Sequence, residues 1–82
     1  SSRMKVKITF YGQTLEIVNS SEIEMEISES TMAYDIRNSL ADKYPKLSTV
    51  ELKLAVNNKM IANDLKLNDG DEISILPPFS GG

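Results

Sequence analysis

The chain has 82 residues, 12 acidic and 9 basic, for a formal charge of −3, and contains no cysteine, no histidine and no tryptophan. At this length it holds one domain, and it buries only about 60% of the surface its unfolded form exposes, which leaves little room for a deep enclosed active site. The acidic balance and the scarcity of aromatics exclude a nucleic-acid binder built on clustered Lys and Arg or on base stacking, while zero Cys and zero His remove the thiolate nucleophile, the commonest general base and the commonest metal ligands.

Ser1-Ser2-Arg3 reads as a remnant ahead of an expected native start at Met4. From Lys5 to Tyr11 the chain alternates, with Val6, Ile8 and Phe10 on one face and Lys5, Lys7 and Thr9 on the other, the pattern of a half-buried strand. Gly12-Gln13 interrupts it. Thr14 to Ser21 fits either a continued hairpin or one helical turn, closed by Asn19-Ser20-Ser21. Glu22 to Ser28 alternates again, with Ile23, Met25 and Ile27 facing one way and Glu22, Glu24 and Glu26 the other. That glutamate row could be an acidic binding stripe, but it is read as the solvent face of a strand.

Ser30 or Thr31 offers an N-cap hydroxyl. From there to Tyr44 the period becomes 3.6, with Ala33, Ile36, Leu40 and Tyr44 on one stripe, and Pro45 stops the helix. Glu51 to Asn57 is a third strand, with Leu52, Leu54 and Val56 inward. Asn57-Asn58 is a turn pair suited to positive φ. Met60-Ile61 is a short edge strand, Asn63-Asp64 and Asn68-Asp69-Gly70-Asp71 are turns, and Glu72 to Leu76 is the last strand. A hairpin, a crossover helix and later strands predict an α+β chain of the ubiquitin-like β-grasp type: a mixed sheet of about five strands with one main helix packed across it, spanning 4–76. No apolar run exceeds three residues, so no membrane span is expected, nor is there a signal-peptide pattern. The missing cysteines favour the cytoplasm.

Residues 77–82 form a tail, Pro77-Pro78-Phe79-Ser80-Gly81-Gly82. Neither proline can donate to a ladder, so the strand ends there, and the pair is expected to hold the chain extended and aimed away from the body. Phe79 is a large apolar group with no core to enter. Gly81 and Gly82 have no side chains, so another protein's backbone can close around them. A glycine pair at a terminus also fits leftover linker; the stiff lead and the exposed aromatic tilt the reading to function. A terminal carboxylate has an ordinary pKa of about 3.3–3.7, and it is a poor electrophile until activated, most simply as an acyl-adenylate. No G-x-x-x-x-G-K-[ST] or G-x-G-x-x-G loop is present, so nucleotide and magnesium are expected on a partner. This chain is expected to bind no cofactor and no metal itself.

Leu54-Ala55-Val56-Asn57-Asn58 and the run from Asn68 to Gly82, with Phe10-Tyr11-Gly12 at the end of the first strand, resemble the MoaD family, the sulfur-carrier small subunit of molybdopterin synthase. The resemblance runs over nearly the whole chain from Met4. It is weak from Gln13 to Ser21, where the family usually carries an Arg-rich turn and this chain has Gln13-Thr14-Leu15-Glu16. It implies that an E1-like enzyme adenylates the Gly82 carboxylate with ATP and magnesium, and that a sulfur donor converts it to a thiocarboxylate. The loaded tail then enters the large synthase subunit, in a heterotetramer, and gives its sulfur to cyclic pyranopterin monophosphate. By the same resemblance Gly82 and Gly81 are the reactive end. Phe79, Ser80, Pro77, Pro78 and Phe10 are candidate partner contacts, although Phe10 also fits a plain core role.

Three other readings compete. A carrier for thiamine thiazole or tRNA thiolation, or a ubiquitin-like protein modifier, keeps the chemistry and changes the acceptor. A β-grasp binding module with an inert tail is a different class. An enzyme in its own right would have to use carboxylates such as Asp69, Asp71 and Glu72, whose spacing misses the EF-hand pattern and is better explained by a turn around Gly70.

Overall fold

A computed structural model describes residues 3–78. Ser1, Ser2 and Phe79 to Gly82 lie outside the described residues. Five strands, β1 (Met4–Phe10), β2 (Glu22–Ile27), β3 (Lys53–Val56), β4 (Lys59–Met60) and β5 (Glu72–Leu76), form one sheet in the order β2-β1-β5-β3-β4. The first and last strands lie side by side and parallel, with Ile8 opposite Ile73 and Phe10 opposite Ile75. The other pairings are antiparallel. Helix α2 (Ala33–Lys43) follows the β1–β2 hairpin, so the expected mixed β-grasp sheet with one main helix is the fold.

Alternation decides which side of the sheet is core. Val6, Ile8 and Phe10 of β1, Leu54 and Val56 of β3, and Ile73 and Ile75 of β5 are buried together with Ala33, Ile36 and Leu40 of α2. On the opposite face Glu22, Glu24 and Glu26 stand across from Thr9, Lys7 and Lys5, so the glutamate row is a solvent face set against lysines. Among the described residues no helix is long and apolar enough to cross a membrane.

The structure settles the stretch that sequence left open. Gln13–Val18 is a short helix, α1, closed by Asn19 in the left-handed region (φ 60°), whose N–H donates to the Leu15 carbonyl at 2.8 Å. The start of α2 also differs from expectation. Neither Ser30 nor Thr31 caps it: the Thr31 hydroxyl accepts the Ser28 N–H in the preceding turn. Instead the Met32 N–H donates to Asp35 Oδ2 (2.9 Å), the Ala33 N–H to the Leu65 carbonyl (2.8 Å) and the Tyr34 N–H to Asp64 Oδ1 (2.8 Å). The first amides of a helix lack internal partners, and here a loop about 30 residues away in sequence supplies partners for two of them, Ala33 and Tyr34. After α2, Pro45–Thr49 makes a 3₁₀ turn. Asn57 and Asn58 take positive φ (51° and 70°) as their sequence implied. β3 is shorter than expected, and Leu52, ahead of it, is half-buried against the core.

Phe10 is 2% exposed in the centre of this core. Truncating a buried Phe costs about 3–5 kcal/mol, much of the whole stability of a small domain. Phe10→Ala is therefore expected to lower the urea midpoint sharply or to leave the chain unfolded, as read by circular dichroism.

Candidate functional site

The tail leaves the sheet from its middle strand. β5 is bonded to β1 on one side and β3 on the other, as far as Leu76, which stands opposite Lys53. Pro77 has no amide hydrogen and ends the ladder. The first two tail residues do not stand clear of the body as expected. Pro77 and Pro78 are both half-buried, and Pro78 lies in a turn. For Pro77 the cause is the chain reversal after β1. Gly12 has φ 58° and ψ −131°, a conformation open mainly to glycine, and a Cβ placed there would meet Pro77 Cγ at 3.1 Å. The proline ring rests where a side chain would otherwise be. Phe79, Ser80, Gly81 and Gly82, the remaining candidates, lie outside the described residues.

The corner from Tyr11 to Thr14 closes over the same exit. The Tyr11 N–H donates to the Ile75 carbonyl (3.1 Å), adding a rung to the parallel ladder beyond Phe10. The Thr14 hydroxyl accepts from that same Tyr11 N–H (3.1 Å) and reaches the carbonyls of Tyr11 (2.7 Å) and Ile75 (3.2 Å). Thr14 is fully buried, the sole polar side chain so buried among the described residues.

Burial separates two neighbouring aromatics. Phe10 offers no surface, whereas Tyr11, next in the chain, is 47% exposed. Among the described residues Met60, at 54%, and Leu15, at 37%, are the other exposed large apolar groups. Met60 stands opposite Ala55, and Ala55 opposite Ser74, on the face of the sheet away from α2. Leu76, two residues on from Ser74, shares that face. Thr9, Ser74 and Ala55 form a low floor between Tyr11, Leu76 and Met60. A mixed face of this kind, with Tyr11 and Met60 exposed and Lys53 opposite Leu76 beside a chain exit, is suited to a protein partner. Sequence reading passed over Tyr11 and Met60; strict alternation from Phe10 was the signal that put Tyr11 outside.

The acidic turn is occupied with structure. Asp69 Oδ1 accepts the Lys5 N–H (2.8 Å), Asp71 Oδ2 the Asn68 N–H (2.8 Å) and Asp71 Oδ1 the Asn57 amide (3.0 Å), while the Glu72 N–H donates to Asn57 Oδ1 (3.0 Å). Among the described residues no group of three or more Asp, Glu, His or Cys is placed to hold a metal ion.

Comparison with known proteins bears on the tail. The profile of the ThiS family matches residues 8–82. A molybdopterin synthase sulfur carrier subunit from Dictyostelium discoideum is 37% identical over 82 residues, covering 93% of this chain and 94% of that protein. Among solved structures, a protein–protein complex of subunits 1 and 2 of molybdopterin-converting factor from Helicobacter pylori contains a chain 28% identical, with a TM-score of 0.69, covering 96% of this chain and 100% of that one. The small archaeal modifier protein 1 from Methanosarcina acetivorans is 27% identical, with a TM-score of 0.76 and complete coverage of both chains.

Met60 belongs to the exposed face and not to the core. Met60→Ala is expected to change the unfolding free energy by about 0.5 kcal/mol or less. Chemical denaturation measured beside Phe10→Ala checks the contrast.

Proposed function

The chain belongs to the ThiS family, and we propose that it is the sulfur-carrier subunit of a molybdopterin synthase, working in the cytoplasm through the C-terminal carboxylate of Gly82. The observation that carries this reading is the family match, which begins within β1 and continues through Gly82, so that it takes in the tail as well as the domain. The identity to a molybdopterin synthase sulfur carrier subunit then favours this pathway over thiamine thiazole.

The chemistry follows from what a carboxylate needs. An E1-like partner binds ATP and magnesium, and the Gly82 carboxylate attacks the α-phosphorus, releasing pyrophosphate. The acyl-adenylate is an electrophile. A sulfur donor displaces AMP and leaves a thiocarboxylate, in which one oxygen has been replaced by sulfur. This chain contributes binding and aim. Tyr11, Leu76 and Met60 dock on the partner, and Phe79 and Ser80 enter its channel. Gly81 and Gly82 let the channel close on the backbone. The large synthase subunit takes the loaded tail into a site shielded from water, where the thiocarboxylate sulfur is transferred to cyclic pyranopterin monophosphate. Two such transfers make the dithiolene, each returning the tail to a carboxylate once water has supplied the oxygen.

A second reading is favoured by one finding, the similarity to a small archaeal modifier protein. There the activated glycine would form an amide with a lysine of another protein.

Incubation with an E1-like enzyme, ATP and a sulfide source, followed by intact mass measurement, tests the reading. The expected gain is the mass difference between sulfur and oxygen, confined to the C-terminal peptide. A chain that gains nothing beside an enzyme active on another carrier overturns the proposal, and an amide-linked product on lysine supports the modifier. Deleting Gly82 is expected to abolish the gain and leave thermal unfolding unchanged. Tyr11→Ala and Met60→Ala are expected to weaken large-subunit binding by about fivefold or more, as an interface anchor worth above about 1 kcal/mol does. Isothermal titration measures it.

A further inference from the structure

We propose that Thr14, together with Gly12, is a positioning clamp that fixes the direction in which the chain leaves the sheet at Leu76 and Pro77, and so sets where the activating partner meets the start of the tail. The inference rests on the carrier reading above. Thr14 sits 61 residues from Ile75 in sequence, yet its hydroxyl lies 3.2 Å from the Ile75 carbonyl. That carbonyl accepts the Tyr11 N–H (3.1 Å) and lies within reach of the Thr14 hydroxyl, whose single proton it shares with the nearer Tyr11 carbonyl (2.7 Å). The Ile75 carbonyl is the last before Leu76 and the prolines. Two residues later Pro77 packs on Gly12, at a spot kept free by the absence of a Cβ. The backbone is therefore held on both sides of Leu76 by one corner of the fold.

A buried hydroxyl is costly unless bonded, and an apolar side chain of the same shape would fill this site more simply. Here the hydroxyl ties the corner to itself through the Tyr11 N–H and carbonyl, and ties that corner to the last strand through Ile75. Ordering one backbone residue corresponds to roughly five- to thirty-fold in affinity. A clamp that orders the exit in advance removes that cost from the encounter with the partner. Once the tail is seated, the partner's channel holds it, so the clamp acts on binding and not on the chemical step.

Thr14→Val keeps the shape and removes the hydroxyl; Thr14→Ser keeps the hydroxyl; Gly12→Ala pushes on Pro77. The thiocarboxylation assay, with the carrier as varied substrate and at a temperature where circular dichroism shows each variant folded, is expected to give a KM raised about tenfold for Thr14→Val, with kcat within about twofold of the parent. Thr14→Ser is expected to restore the parent KM. Gly12→Ala repeats the KM effect without touching the hydroxyl and serves if Thr14→Val does not fold. A second readout is free of carrier chemistry: the ¹⁵N order parameter of the Leu76 amide is expected to fall in Thr14→Val while that of Ile8 stays. An unchanged Leu76 amide, or an unchanged KM in folded variants, overturns the clamp. If Leu76 loosens but the parent protein takes up no sulfur, the clamp stands as a structural device, and it is the carrier reading that falls.

Discussion

The parallel pairing of β1 with β5 is the constraint on which the rest of the molecule depends. Parallel neighbours cannot be joined by a tight turn, so everything between them must travel around and return. The hairpin partner, the helix and the β3–β4 edge are all carried on that detour. The register is fixed at both ends. At one end the Lys5 N–H donates to Asp69 Oδ1, the Gly70 N–H to the Lys5 carbonyl and the Lys7 N–H to the Asp71 carbonyl. At the other the Tyr11 N–H donates to Ile75. A slip by one residue would send Ile73 and Ile75 to solvent and bring Glu72 and Ser74 into the core. The acidic turn that looked like a candidate for chemistry is thus the lower lock of this pair, and Gly70, at φ 84°, is the residue that allows it.

What the sequence discloses follows from the range of the interactions involved. β5 was readable to the residue, because Glu72-Ile73-Ser74-Ile75-Leu76 alternates between a turn and two prolines, and each signal is local. The positive φ at Asn57 and Asn58 was readable for the same reason. The start of α2 was not: Ser30 and Thr31 are good local caps, but Asp64 and the Leu65 carbonyl, brought in by the fold, serve the amides instead. Helix α1 was ambiguous because Leu15, Ile17 and Val18 fit either period, and its choice depends on Gly12 turning the chain beneath Pro77. Thr14 was only partly legible: its bonds to Tyr11, three residues back, are local, but its reach to Ile75 depends on the last strand.

The candidate site divides in the same way. The family likeness was legible in the run from Asn68 to Gly82, which the family match covers. The geometry of the site was not. Phe10 and Tyr11 are adjacent and both aromatic, and only burial separates a core residue from an exposed one. Ala55 is 6% exposed although it lies on the outer face, since Ser74 on one side and Met60 on the other flank it. Small residues in the middle of that face keep it flat, which suits docking against a partner's surface better than filling a groove.

Tail length ties docking to insertion. Residues 77–82 are six in number, and six fully extended residues reach about 20 Å. On the carrier reading, any enzyme that acts on Gly82 must place its reactive centre within that distance of Leu76. It must therefore also lie over the surface around the exit, where Tyr11 and Met60 are exposed. Contact with the domain and entry of the tail become one event, and the contact restricts which proteins bring a catalytic centre within reach. A longer or looser tail would separate the two and lose that restriction. On that reading the six-residue spacing from Leu76 to Gly82, rooted in the middle strand with Pro77 against Gly12, keeps them joined.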